Sequence, residues 1–165
     1  MNLFDKYKLG LPYGNFLQKH GTDAHRSRWQ QVLEQVALTD AQTALLKQFK
    51  RKMPALCLAG AWCGDCANQC PIFEKFASIA PSIQMHFLDR DEHADVQALL
   101  QINGGNRVPV VVFFSEDGTE VARYGERTLS KYRTMIQEQA GANCPTSPSK
   151  SSANTNTRNP SPKKS

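Results

Sequence analysis

The feature that most constrains this chain is a Cys-x-x-Cys motif placed where a short apolar run meets a helical pattern. The run ALCLAGA (55–61) is uncharged and continuous, which is typical of a strand covered on both faces. Residues 62–66 read Trp-Cys-Gly-Asp-Cys, and apolar residues then recur at helical spacing from Ile72 to Ile79. This order predicts that both thiols lie where a buried strand turns into a helix.

Cys63 would stand at the N-terminus of that helix. The unpaired N–H groups and the dipole there stabilise a thiolate, which is the nucleophilic form of cysteine. Two intervening residues place Cys66 one turn away, within disulfide reach of Cys63. Such a pair can exchange thiols for a disulfide: one thiolate attacks a substrate disulfide, and the second thiol resolves the mixed disulfide.

The rest of the chain predicts an α/β fold. Alternating or continuous apolar segments predict strands at 83–91 and 108–114, and a turn at 116–118 leads into an antiparallel partner strand at 120–125. Helical patterns follow the motif and recur at 91–102 and 129–139. Strand–helix–strand–helix–strand–hairpin–helix implies a sheet with parallel and antiparallel parts, covered by helices.

The first 52 residues predict a helical extension. An irregular apolar arm ends in a short helix near 15–20, Thr22 or Asp23 caps a second helix, and Thr39-Asp40 begins a third. We expect the apolar faces of these helices to cover the sheet through Trp29, Val32, Leu33, Leu45, Leu46 and Phe49.

The chain resembles the thioredoxin superfamily over residues 53–141. The resemblance is carried by the Trp-Cys-Gly-Asp-Cys motif (62–66), by Pro71 five residues after the second cysteine, by Arg107-Val108-Pro109 before an apolar strand, and by Gly125 after the hairpin. It implies a thioredoxin-like mixed sheet flanked by helices, here with an N-terminal helical extension.

The resemblance also implies roles for individual residues. Trp62 would shield the site, Cys63 would be the exposed nucleophile, and Cys66 would be the buried resolving thiol. Val108 and a cis Pro109 would hold extended substrate against the cysteines. The implied activity is that of a cytosolic protein disulfide reductase without a cofactor or metal. Its partners would be a disulfide-containing protein or small molecule and an upstream thiol reductant.

Two positions depart from the family pattern close to the motif. Asp65 replaces the usual proline between the cysteines, and a carboxylate there opposes thiolate formation. Cys57, six residues before Cys63, replaces a frequent buried acid. We expect Gly64, Asp65 and Arg107 to tune the thiols, with Arg107 available to pair with Asp65.

Other interpretations use the same cysteines. Cys63, Cys66 and Cys70 followed by Pro71 match the end of an iron–sulfur run, and zinc would need a further ligand such as Cys57 or His86. A thioredoxin-like scaffold that binds a partner without turnover is the other alternative. Cys70 itself fits either a small buried apolar residue or a second resolving thiol.

The charge distribution sets the remaining expectations. The net charge of +5 arises mostly in 145–165, which contains four Lys or Arg, no acid and no large apolar side chain. We therefore expect this tail to be disordered and the nearly neutral domain at 53–144, with its extension at 1–52, to bind no nucleic acid. No stretch predicts a leader or a membrane span, and we expect a cytoplasmic monomer.

Overall fold

The apolar run near the motif forms the central strand of a four-stranded sheet. It is β1 (Met53–Ala59), and β2 (Ile83–Asp89) pairs with it in parallel. On its other side β3 (Val110–Phe114) pairs antiparallel, and β4 (Glu120–Gly125) pairs antiparallel with β3. In the order β2-β1-β3-β4, β1 is an inner strand, and its residues after Met53 are buried on both faces of the sheet, which explains its continuous apolar sequence. The predicted mixed sheet is confirmed.

The computed structural model describes residues 2–140, which divide into two units. Residues 2–128 form the first unit, with the sheet and the helices that precede and connect its strands. The second unit contains the helix α7 (Leu129–Ala140), which matches the predicted helix at 129–139. Cys144 and the tail at 145–165 lie outside the described residues, so the disorder expected there stays a prediction, as does a domain boundary at residue 52.

Two helices connect the strands. The helix α5 (Gly64–Ile79) follows β1, and α6 (Ala94–Leu99) follows β2. The helix predicted over 91–102 is shorter than expected. The carboxylate of Asp89 accepts the N–H groups of residues 91 and 92, at 2.8 and 3.2 Å, and holds a turn there before α6 begins.

The N-terminal extension contains four helices. They are α1 (Leu3–Leu9), α2 (Tyr13–His20), α3 (Asp23–Gln35) and α4 (Asp40–Lys47). The expectation of an irregular arm before residue 15 was wrong, because Asn2 caps α1 through its side chain.

The caps of α3 and α4 are those the sequence predicts. The Thr22 hydroxyl accepts the N–H of His25 at 3.3 Å, and the Thr39 hydroxyl accepts the N–H of Gln42 at 3.2 Å. Each helix also returns a side-chain contact to the cap backbone, which completes a capping box.

Trp29 of α3 connects the extension to the end of β1. Its side chain is fully buried, its ring lies against Tyr13 and Phe16, and its Nε1–H donates to the carbonyl of Ala61 at 3.0 Å. Leu45 and Phe49 are instead 59% and 38% exposed, so their expected burial was wrong. The short helix α4 packs against α5 and contains no fully buried side chain.

In the described part of the chain, no helix combines the length and the apolar character that a membrane crossing needs.

We predict that Trp29→Ala lowers the free energy of unfolding by about 3–5 kcal/mol, a large part of the ~5–15 kcal/mol typical of a domain. The substitution leaves a cavity beside Tyr13 and Phe16 and removes the donor to the Ala61 carbonyl. Urea denaturation measures the change. Leu9→Ala on α1 is the control, because Leu9 is 62% exposed and should cost under about 0.5 kcal/mol. Equal losses in both variants would mean that Trp29 does not join the extension to the sheet.

Candidate active site

Cys63 is the N-terminal cap of α5. Its Sγ accepts the N–H of Cys66 at 3.5 Å, and this N–H belongs to the first helical turn, where it has no carbonyl partner within the helix. The same sulfur lies 3.7 Å from the carbonyl oxygen of Val108, and the side chain is only partly buried. Cys63 is therefore a thiol that a helix N-terminus polarises and that solvent can reach.

Cys66 lies one turn into α5 and is fully buried. Both cysteines are free thiols that share a hydrogen bond, so they titrate as a pair. Burial opposes ionisation at Cys66, but hydrogen bonds from Cys63 and Cys70 outweigh it and lower the pKa of the first ionisation. Because the hydrogen bond with Cys66 and then burial oppose a second charge, they raise the pKa of the second ionisation, that of Cys63.

The two sulfurs differ in access. The pair holds one proton and one negative charge after its first ionisation, and the proton can move between the sulfurs along their hydrogen bond. Only Cys63 is open to a substrate, whereas Cys66 has no exposed surface. The geometry thus brings together the two residues predicted to react, with Cys63 outside and Cys66 inside.

The segment before β3 closes one side of the site. Val108 is buried, its carbonyl oxygen faces Cys63, and the Val108–Pro109 peptide bond is cis. The structure therefore brings both predicted substrate-binding residues of this segment next to the exposed thiol.

Trp62 forms another side and is 46% exposed. The guanidinium of Arg90 lies 4.5 Å from its ring centroid, and its Nε1–H donates to the Asp91 carboxylate at 3.1 Å. Sequence reasoning missed Arg90 and Asp91. A signal was present, because they follow β2 directly and the carboxyl ends of the parallel strands β1 and β2 meet at one edge of the sheet.

Gly60 is required beneath that indole. A Cβ built on Gly60 would lie 2.8 Å from the Trp62 ring. The close approach of ring and backbone fixes Trp62 beside the cysteines, and any larger residue at position 60 would displace it.

Asp65 pairs with Arg127 and not with Arg107. Its Oδ2 lies 2.9 Å from both Nε and Nη2 of Arg127, a two-nitrogen contact. Arg107 instead pairs at 2.9 Å with Glu126, whose side chain is almost fully buried. The expected contact between Arg107 and Asp65 is not formed. Arg127 also lies 3.5 Å from the Glu126 carboxylate, so Asp65, Arg127, Glu126 and Arg107 form one network in which the charges alternate.

Gln69 positions this segment. Its amide group donates to the backbone carbonyl of Glu126 and accepts the hydroxyl of Tyr124 at 2.6 Å. Gln69 is buried on α5, so the helix that carries the cysteines also holds the strand end that supplies Arg127. Neither Gln69 nor Arg127 was predicted as part of the site, because the burial of Gln69 and the position of Arg127 depend on packing between distant segments.

Arg28 of α3 approaches the motif from another direction. A guanidinium nitrogen of Arg28 would lie 3.3 Å from a Cβ built on Gly64, so the backbone between the two cysteines passes close to this side chain. Arg28 was not predicted, because nothing in the sequence indicates that α3 passes over the motif.

The metal interpretations add Cys70, Cys57 or His86 to the active pair. Cys70 and Cys57 are buried with their sulfurs 3.8 Å apart, whereas His86 stacks on Tyr7 and contacts the Tyr7 carbonyl at 3.0 Å. Among residues 2–140, no three His, Cys, Asp or Glu side chains are grouped in a way that could hold a metal ion.

Comparison with known proteins gives the fold a family. Residues 11–139 match a family model described as thioredoxin. The chain is 31% identical over 84 residues to protein disulfide isomerase-like 2-2 of Oryza sativa, and 37% identical over 62 residues to thioredoxin-1 of Saccharomyces cerevisiae. These matches cover 48% and 38% of this chain but only 22% and 56% of the two relatives.

Among solved structures, a Pseudomonas aeruginosa protein of unknown function is similar with a TM-score of 0.74 and 18% sequence identity. The similarity covers 85% of this chain and 86% of that one. Because the family model spans most of the chain, the chain belongs to the thioredoxin family.

Proposed function

We propose that the chain is a thiol–disulfide oxidoreductase that reduces substrate disulfides through Cys63 and Cys66. The observation that carries the proposal is the placement of Cys63: a partly exposed sulfur on a helix N-terminus, with a buried second thiol one turn behind it. The family assignment and the relatives named above support the same chemistry.

The reaction follows from this placement. The Cys63 thiolate attacks a substrate disulfide, one substrate sulfur leaves as a thiolate and takes a proton, and a mixed disulfide with Cys63 remains. Cys66 then attacks the Cys63 sulfur and loses its proton, and the second substrate thiol is released. Two electrons and two protons pass to the substrate, and the chain is left with a Cys63–Cys66 disulfide that a thiol reductant must open.

The walls of the site favour an extended substrate segment. The Val108 carbonyl lies beside Cys63 and offers a backbone acceptor there, and Pro109 follows it. The Trp62 ring offers an exposed apolar face on the other side, held by Arg90 and Asp91. A substrate disulfide reaching Cys63 would contact both walls.

Partners and location follow as part of the proposal. Members of the thioredoxin family act on disulfide-containing substrates and on reductants. We infer the same two classes here: a disulfide-containing protein or small molecule, and an upstream thiol reductant. A cytoplasmic location and a monomeric state remain predictions from the sequence. A scaffold that binds without turnover would have no need of the paired thiols.

The first test is trapping. In a Cys144→Ser background, Cys66→Ser should accumulate a mixed disulfide with a protein substrate such as insulin, because the resolving thiol is gone. Cys63→Ser is the matched control and should form no adduct, because Cys66 is buried. Non-reducing electrophoresis and mass spectrometry identify the adduct and its cysteine. Trapping by Cys63→Ser would reverse the roles of the two thiols, and no adduct in either variant would contradict the proposed activity.

The second test concerns the charges beside the thiols. Asp65 opposes ionisation of the pair, and Arg127 neutralises Asp65. Asp65→Asn should therefore lower the first thiol pKa, and Arg127→Gln should raise it, each by up to about one unit, or ~1.4 kcal/mol. Ultraviolet thiolate absorbance during a pH titration measures the shift.

Arg51→Gln is the control for this titration. Arg51 pairs with Glu116 at 3.2 Å near the other end of β1, so its removal should leave the thiol pKa unchanged. Shifts of the same sign in Asp65→Asn and Arg127→Gln would show that these side chains do not act on the thiols through their charge.

A further inference from the structure

Two cysteines that the proposed reaction does not use lie directly behind the active pair. Cys70 is on α5 one turn beyond Cys66, and Cys57 is on β1 beneath the helix. Their Sγ atoms are 3.8 Å apart, and neither side chain has any exposed surface.

The contacts continue from one sulfur to the next. Cys66 follows Cys63 by three residues and Cys70 follows Cys66 by four, so all three lie on one face of α5, and Cys66 interacts with both neighbouring thiols. The Cys70 sulfur in turn lies 3.8 Å from that of Cys57. The four thiols thus form a row from the surface into the core in the order Cys63, Cys66, Cys70, Cys57. Within this row, the partner through which an oxidant can reach Cys70 is Cys66.

Cys57 lies deep in the sheet. It is in register with Phe87 on β2 and with Val111 on β3, and both of these residues are fully buried. A small apolar side chain would fill this position, but it would not require a second sulfur opposite it on α5. The close approach of two buried sulfurs from different elements is the observation that indicates a chemical role.

We propose that Cys57 and Cys70 are a second redox-active dithiol, which reduces the Cys63–Cys66 disulfide from inside the protein. This inference rests on the proposed function, because a disulfide must first form at Cys63 and Cys66. It gives each fully reduced chain the capacity to reduce two substrate disulfides before an external reductant acts.

The transfer takes two exchange steps. Cys70 attacks the Cys66 sulfur, the Cys63–Cys66 bond breaks, a Cys66–Cys70 bond forms, and the proton of Cys70 passes to Cys63. Cys57 then attacks the Cys70 sulfur, the Cys66–Cys70 bond breaks, a Cys57–Cys70 bond forms, and the proton of Cys57 passes to Cys66. Two electrons and two protons move outward, and the outer pair becomes a dithiol again.

The direction of transfer follows from the environments. Burial, and then the neighbouring thiols, raise the pKa of Cys70, so the inner dithiol gains no stability from ionisation at neutral pH. The outer dithiol does gain it, because its first ionisation has a lowered pKa. A pair whose reduced form is stabilised is the better oxidant, so the outer disulfide accepts electrons from the inner dithiol.

The helix beside Cys70 lacks one backbone hydrogen bond, which eases the movement that a bond between the sulfurs requires. Two sulfurs at 3.8 Å must approach to about 2.05 Å to form a bond. Pro71, inside α5 and next to Cys70, has no N–H to donate to the carbonyl four residues earlier, so the helix lacks a hydrogen bond beside the moving thiol.

The test counts and maps disulfides in the full chain carrying Cys144→Ser. The protein is fully reduced, freed of reductant under anaerobic conditions and mixed with excess oxidised glutathione. Released glutathione should correspond to about two disulfides reduced per chain, not one. After the remaining thiols are blocked, cleavage after Trp62 and before Asp65 puts Cys57 and Cys63 on separate peptides, and Cys66 with Cys70 on a third.

With less than one equivalent of oxidised glutathione, the mapped disulfide should join the Cys57 peptide to the third peptide. Release of one equivalent, with only Cys63 joined to that peptide, would overturn the inner dithiol and leave the proposed function standing. No release above that of the Cys63→Ser, Cys66→Ser double variant would overturn both.

Two variants separate internal transfer from direct oxidation. Cys63→Ser should leave Cys57 and Cys70 reduced in the native protein, because the outer disulfide cannot form. An inner disulfide in that variant would overturn the transfer route. Cys57→Ala should halve the glutathione released, and Cys57→Ser, which keeps the size of the side chain, should do the same; full release from either folded variant contradicts the proposal.

Discussion

A buried hydrogen bond, from the indole of Trp29 to the carbonyl of Ala61, fixes the point where the central strand ends and the reactive turn begins. Ala61 directly precedes Trp62 and Cys63, so the position of the nucleophile depends on a residue of the N-terminal extension. A buried carbonyl without a partner would be costly at this position. The extension is therefore part of the scaffold that holds the cysteines.

Around the thiols, Asp65 and Glu126 each lie against an arginine, which limits the effect of their charges on the cysteines. Asp65 sits beside the cysteines, yet Arg127 contacts it with two nitrogens, and Arg107 pairs with the buried Glu126. The thiols consequently experience a nearly balanced set of charges. What favours the first thiolate is then the hydrogen bonding between sulfurs and the helix N–H at Cys63.

Local sequence patterns predicted what depends on local structure. The strand before the motif, the helix after it, and the caps at Thr22 and Thr39 were all read correctly, because each rests on neighbours in the chain. Cys63 is partly exposed and Cys66 is buried, as the resemblance implied, while their roles as nucleophile and resolving thiol stay predictions.

What the sequence could not predict depends on distant segments meeting. The pairing of Asp65 with Arg127 joins residues separated by 62 positions, and a basic residue nearer to the site in the predicted fold was the obvious candidate. The exposure of Leu45 depends on how little of α4 meets α5. The sequence indicates that Cys57 lies in the apolar strand and allows a buried Cys70, but the approach of their sulfurs to 3.8 Å is set by the packing of α5 on β1.

The backbone bridge between Leu11 and β2 covers part of one edge of the sheet. Leu11 exchanges two backbone hydrogen bonds with Phe87, at 2.9 and 2.7 Å, on the edge strand of the sheet. Gly10 permits the approach, since a Cβ there would lie 2.8 Å from that of His86. An open strand edge is a template for intermolecular β-pairing and aggregation. Here Leu11, between two helices, occupies the middle of the β2 edge, so the extension hinders another chain from pairing with that strand.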